Sequence, residues 1–140
     1  MSKINFFNEE TDFTLKQKNK IRSWIKSVLT DNQKHLVSIN YIYTSDEYLL
    51  RLNREFLNHN TFTDIITFDQ SIQKDQIEGD IYISIDRIKE NARSLTIPFT
   101  EELHRVMIHG ILHLMGYSDK TESERQVMRK KENHYLALRV

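Results

Sequence analysis

Residues 103–115, Leu-His-Arg-Val-Met-Ile-His-Gly-Ile-Leu-His-Leu-Met, constrain this chain more than any other stretch. Read as a helix, Leu103, Val106, Met107, Ile108, Ile111, Leu112, Leu114 and Met115 cover roughly two-thirds of its circumference. A helix so apolar is buried nearly all round, and the rest of the fold must be built about it. The remaining sector holds Glu102, Arg105, His109 and His113. Two imidazoles on the polar sector of a core helix need partners, because a buried polar group left without a hydrogen bond or ligand is costly.

His109 and His113 stand one helical turn apart on the same face, close enough to reach one ion. A third ligand must come from elsewhere. Gly116, just past the last periodic residue, can take the left-handed conformation that ends a helix and turns the chain back, which brings Asp119 in from the loop. Two imidazoles and one carboxylate suit a single zinc ion and leave a fourth position for water, as a catalytic site requires. The chain has no cysteine, so thiolate zinc sites and disulfides are excluded. His35, His59, His104 and His134 are isolated and read as packing or surface residues. The pair could also be satisfied by backbone or carboxylate hydrogen bonds, but together with the glycine-turned Asp119 it favours metal ligation. The spacing overlaps that of metzincin-like zinc proteases, in which a glutamate follows the first histidine as general base. Gly110 stands there instead, so a peptidase ranks second.

Elsewhere the pattern predicts an α+β fold: a four-stranded mixed sheet covered by about five helices, with the histidine helix central in the core. A short strand is expected over 3–7. Thr14 and Gln17 fit a capping box for a helix burying Ile21, Trp24, Ile25 and Val28, with Lys16, Lys18, Lys20, Arg22 and Lys26 opposite. Strands follow over 36–43, 63–68 and 79–85, the last two joined by the polar connection 70–78. Between them, Ser45 starts a helix with Leu49, Leu52 and Phe56 inward that ends at Asn58-His59-Asn60. Asp86 is the expected N-cap of a helix with Ile88, Ala92 and Leu95 inward, and Thr100 opens the histidine helix. Thr121 and Glu124 form a capping box for a last helix burying some of Val127, Met128, Tyr135 and Leu138. This order implies two crossovers and then a hairpin, in a single domain spanning 1–140.

Twenty basic and twenty acidic residues balance, so attraction of a polyanion must be local rather than by net charge. No apolar run approaches the roughly 20 residues of a membrane span and nothing resembles a signal peptide, so the cytoplasm is expected.

The run His109-Gly-Ile-Leu-His113-Leu-Met-Gly-Tyr117 closely resembles the H-G-x-L-H-L-x-G-Y-D-H signature of the YbeY family, bacterial zinc-dependent endoribonucleases that mature ribosomal RNA. Thr63-Asp64-Ile-Ile-Thr67-Phe68 looks like the family's T-D-V-L-S-F strand, and Gly79-Asp80-Ile81 fits the G-D-I/L opening the next. The resemblance spans about residues 45–135 and implies a single-strand-specific endoribonuclease of 16S ribosomal RNA maturation and ribosome quality control, with RNA and the ribosome as partners and no DNA or membrane. Two positions depart from it. Asp119 stands where most members have histidine, with Ser118 where aspartate is usual, so the metal role passes to Asp119 in a harder N2O donor set. Leu57 stands at the family's RNA-handling arginine; Arg54, one turn earlier, is the candidate substitute, and a solvated surface residue is the alternative.

A zinc ion on His109, His113 and Asp119 would lower the pKa of its water from 15.7 toward about 7 and polarise a phosphoryl oxygen. Whether that water or the ribose 2′-hydroxyl attacks phosphorus is left open by the sequence. Asp64 and His59 are the candidates for proton transfer, although capping a turn explains Asp64 equally well. Arg51, Arg54, Arg105 and the basic face of the first helix are the candidate phosphate contacts. A peptide hydrolase and a non-catalytic ribosome-assembly factor with a structural metal remain as other classes.

Overall fold

Strand-forming stretches rich in isoleucine and tyrosine lie between helices of regular apolar period, and in the computed structural model, which describes residues 3–139, they assemble one sheet. Its strands are β1 (Ile4–Glu9), β2 (His35–Thr44), β3 (Ile65–Asp69) and β4 (Gln76–Ser84), and five helices are present among the described residues. They are α1 (Lys18–Asp31), α2 (Asp46–Leu57), α3 (Ile85–Leu95), α4 (Phe99–Leu114) and α5 (Glu122–Ala137). The α+β class, the four-stranded mixed sheet and the central histidine helix are as expected.

The strand order is β1-β2-β4-β3. β1 and β4 both run parallel to β2, and β3 pairs antiparallel with β4. The second crossover therefore differs from expectation, because β4 rather than β3 takes the place beside β2. Ile77, Ile81 and Ile83 of β4 are fully buried, which suits an interior strand, whereas the five-residue β3 ends in exposed Asp69 and suits an edge.

Ile39, Tyr41 and Tyr43 of β2, with Ile81 and Ile83 of β4, face α4 across the main core. Tyr41 donates its hydroxyl hydrogen to the Met107 carbonyl at 3.0 Å, so even the polar tip on this face is satisfied. Gly110 lets α4 lie close to the sheet: a Cβ there would stand 3.0 Å from both Ile65 Cδ1 and Ile81 Cγ2.

Helix starts differ from the sequence reading where the core competes with a local cap. Leu15 is drawn inside, so the segment before α1 stays non-helical, Gln17 adopts φ 58°, and the Thr14 capping box does not form. The Ser84 side chain caps α3 by accepting from the Arg87 N–H at 3.1 Å, while Asp86 accepts from the Asp46 N–H at 2.9 Å. The α4 helix begins directly after Pro98, leaving Thr100 within its first turn. At α2 and α5 the expected caps are present: Ser45 accepts from the Tyr48 N–H, and Thr121 with Glu124 completes a capping box. Phe56 is exposed rather than inward, because buried Asn53 occupies the inner face of α2 and donates to the Thr61 carbonyl, fixing the loop that leads to β3. Leu95, Val127 and Leu138 are likewise exposed, lying at or beyond the edge of their helices' buried faces. Among the described residues no helix is long and apolar enough to cross a membrane.

Candidate metal centre

The C-terminus of α4 builds the site. Gly116 adopts φ 104°, its N–H bonds to the His113 carbonyl at 2.9 Å, and the Tyr117 N–H reaches back to the Leu112 carbonyl at 3.0 Å. These two bonds are a Schellman motif, which satisfies the last carbonyls of the helix and reverses the chain. The reversal has two consequences for the histidines. The Tyr117 carbonyl comes round to accept from His113 Nδ1 at 3.0 Å, and Asp119 Oδ2 arrives 3.3 Å from the Nε2 atoms of both His109 and His113. One donor atom from each of the three residues lies within 4.8 Å of the others, a spacing that could hold one metal ion.

The hydrogen bonds fix which nitrogens face that point. A carbonyl can only accept, so His113 Nδ1 carries the proton that it shares with Tyr117. His109 Nδ1 lies 2.6 Å from Glu132 Oε2, which makes it a donor to the buried carboxylate. When neutral, each ring therefore turns a lone pair inward from Nε2, and these nitrogens are 2.9 Å apart beside the Asp119 carboxylate. Three acceptors so close repel one another unless a proton or cation lies among them. The donor set thus fits a metal: borderline nitrogen and hard oxygen ligands, with the outer nitrogen of each histidine already engaged. Burial works against a charged His109, yet its hydrogen bond to Glu132 and the negative charges of Glu132, Asp119 and Asp64 together hold its pKa above the ordinary value.

Two cavities meet at this centre. One, of about 290 Å³, is lined by Asp64, Glu102, Arg105, Arg125, Arg129 and Glu132 along with His109 and Asp119. The other, of about 320 Å³, lies along the sheet edge, with Leu57, Thr63, Ile66 and Thr67 beside both histidines and Asp119. Asp64 borders both. Its side chain accepts from Asn91 Nδ2 at 3.2 Å, and burial lifts its carboxyl above the usual range against the lowering influence of His109, its own backbone, Arg105 and Asn91.

The structure brings His109, His113, Asp119, Asp64 and Arg105 together. Arg105 pairs with buried Glu102 one turn before His109. Arg54 lies apart, its guanidinium bonded to Asn60, and it lines neither cavity. His59 is exposed in the same loop, and Arg51 pairs with Glu10. Glu132, Arg125, Arg129 and Asn91 were not singled out from the sequence. For Glu132 a signal exists: it follows Met128 by four residues and precedes Tyr135 by three, which puts a carboxylate on the inward face of α5.

Fold and site together define a class: an α+β domain whose central helix ends in a glycine turn that gathers two histidines and a carboxylate beside a sheet edge. The family model for endoribonuclease YbeY matches residues 4–138. The chain is 51% identical to endoribonuclease YbeY of Cytophaga hutchinsonii, covering 97% of this chain and 95% of that one, and 48% identical to that of Flavobacterium psychrophilum, covering 94% of each. A solution structure of a Thermotoga maritima protein, 28% identical, superposes with a TM-score of 0.64 over 94% of this chain and 85% of its own. The chain belongs to the endoribonuclease YbeY family.

Proposed function

We propose that residues 1–140 act as one zinc-dependent endoribonuclease domain that cuts single-stranded RNA during 16S ribosomal RNA maturation and ribosome quality control, in the cytoplasm and in association with the ribosome. Membership of the family supports the reaction class. The observation that carries the metal dependence is the facing of two Nε2 lone pairs, 2.9 Å apart, beside Asp119, with both Nδ1 atoms already committed.

His109, His113 and Asp119 would hold the zinc. When bound, zinc supplies Lewis acidity at a phosphoryl oxygen and a coordination position open to water. Glu132 and the Tyr117 carbonyl keep both imidazoles in the ligating tautomer and stop them from rotating away. Asp64 would take or return a proton at the scissile phosphate, a role supported by its border on both cavities and by the burial that raises its pKa. Arg54, exposed outside both cavities with its guanidinium bonded to Asn60, would meet RNA only at backbone phosphate away from the centre. The peptidase alternative is weakened by the direction of position 110: a Cβ there points at Ile65 and Ile81 of the sheet, so a glutamate would be aimed into the core.

The test is cleavage by purified protein of known metal content, on single-stranded RNA and on casein, with His113→Ala beside wild type. Wild type is expected to carry about one zinc per chain and to cut RNA alone, and the variant to lose both metal and cleavage. Equal RNA cleavage by metal-free His113→Ala would overturn the metal-dependent reading. Rescue of ribosomal RNA processing by that variant would transfer the role to a non-catalytic assembly factor.

A further inference from the structure

An RNA strand whose scissile phosphate sits at the histidine pair must lay its neighbouring phosphates along the two cavities that meet there. Those phosphates need a cation on at least one side. The sheet-edge cavity offers none among the described residues that line it: Leu57, Thr63, Ile66 and Thr67 provide apolar surface and hydroxyls. The cation has to come from the other cavity, where Arg105, Arg125 and Arg129 stand.

The three arginines are not equally available. Arg105 is nearly buried and bound to Glu102, whose own burial demands that charge. Arg125 spends its guanidinium on Glu122 at 3.1 Å and on the carbonyls of Asp119 and Lys120 at 3.4 and 3.1 Å, where it braces the ligand loop. Arg129 keeps 58% of its side chain exposed, and its ion pair is a single Nε contact to Glu132 Oε1 at 4.0 Å, the limit for such a pair. Glu132 is itself committed through Oε2 to His109, so it cannot neutralise Arg129 closely. Arg129 lines the cavity with no close partner on its two terminal nitrogens among the described residues, and these form the planar fork that matches a phosphate.

We propose that Arg129 of α5 is the substrate-binding cation of this protein, clasping the backbone phosphate next to the scissile one. It supplies from the α5 side the positive charge that Leu57 withholds on the sheet-edge side. The assignment rests on RNA being the substrate, as proposed above.

The experiment measures kcat and KM for a short labelled single-stranded RNA over a range of salt concentrations, for wild type, Arg129→Ala, Arg129→Lys and Lys130→Ala. Lys130 is exposed on the same helix and lines neither cavity, so its loss removes the same charge without the contact. Arg129→Ala is expected to raise KM about five- to twentyfold with kcat within about twofold, and to flatten the salt dependence of log kcat/KM by a slope of about one. Arg129→Lys should fall between, and Lys130→Ala should match wild type. An Arg129→Ala enzyme with wild-type KM and salt slope overturns the assignment, as does an equal effect from Lys130→Ala. Zinc content is measured in parallel: a loss of metal in Arg129→Ala would place its effect in the Glu132–His109 contact and also overturn it. Failure of wild type to bind or cut the RNA at all refutes the endoribonuclease reading instead, and the phosphate role with it.

Discussion

Glu132 offers the sharpest test of how the candidate metal centre is held. It is 4% exposed, and one oxygen accepts from His109 Nδ1 at 2.6 Å while the other lies 4.0 Å from Arg129. Replacing it with alanine removes the acceptor that fixes the ring, and replacing it with glutamine keeps a neutral acceptor in the same place. Loss of such an outer hydrogen bond costs about 10- to 100-fold in metal affinity. A second effect opposes this, because Glu132 also raises the pKa of His109 and so favours the proton that competes with zinc. That competition weakens as pH rises, so the deficit is larger at the higher pH; as pH falls the wild type is penalised more than the variant, and the gap narrows. Zinc affinity by chelator competition at pH 6 and pH 8 should therefore show Glu132→Ala weakest, Glu132→Gln intermediate, and both deficits larger at pH 8. The metal-free protein should also lose roughly 1–3 kcal/mol in Glu132→Ala from the unpaired buried N–H, a fall of about 3–10 °C in Tm. Wild-type zinc affinity in Glu132→Ala at pH 8 would refute the claim that this carboxylate orients the ligand.

Gly79 and Gly110 should respond differently to alanine. A Cβ at Gly79 would lie 2.6 Å from the Phe68 carbonyl oxygen, which belongs to the β3–β4 pairing and cannot swing aside, so Gly79→Ala should cost about 1–3 kcal/mol in urea unfolding. At Gly110 the obstacles are isoleucine side-chain ends at 3.0 to 3.1 Å, and alanine regains about 1 kcal/mol of helix propensity, so Gly110→Ala should cost clearly less. His104 gives a pH prediction away from the metal centre. Burial and the charge of Arg139, opposed by Glu101, push its pKa down to about 4. The unfolded chain, with a pKa of about 6.5, binds the proton first as pH falls, so stability contributed by neutral His104 is present above that value and drains away between the two. Allowing for partial solvation of the ring, the loss is about 1–2 kcal/mol, and His104→Gln should show a correspondingly flatter stability profile between pH 7 and pH 4.

Helix α4 was legible because its signal is local: an apolar period, two histidines at one turn and a glycine at the end all sit within fourteen residues, His104 to Tyr117, and each follows from chain geometry. The order of β3 and β4 was not, since both runs have strand composition, and which one enters the sheet interior depends on packing against α4 that no single stretch encodes. The helix caps show the same divide. Ser45 and Thr121 cap their helices because nothing else claims them, whereas Thr14 loses to the burial of Leu15 and Asp86 to Ser84. The local period puts Glu132 on the inward face of α5, but its reason for being buried lies 23 residues away, at His109.

The two positions at which the chain departs from the YbeY signature can be joined by charge. A carboxylate at position 119 puts a negative charge into the donor set that a histidine would not, so a divalent ion held there presents less net positive charge to an incoming phosphate. Leucine at position 57, where the resemblance leads one to expect arginine, gives the sheet-edge wall no cation. Both changes lower the positive charge offered to RNA at the centre and its sheet-edge wall, and the adjoining cavity carries three arginines, two on α5 and one on α4. Arg105 is paired with buried Glu102 and Arg125 is held by Glu122 and the carbonyls of the ligand loop, which leaves Arg129 with the loosest partner. The available positive charge at the centre thus lies on α5, the helix that also supplies Glu132, and not at the end of α2. That helix then governs two properties at once, the hold on His109 through Glu132 and the hold on substrate through Arg129, and the two separate experimentally as zinc affinity and KM.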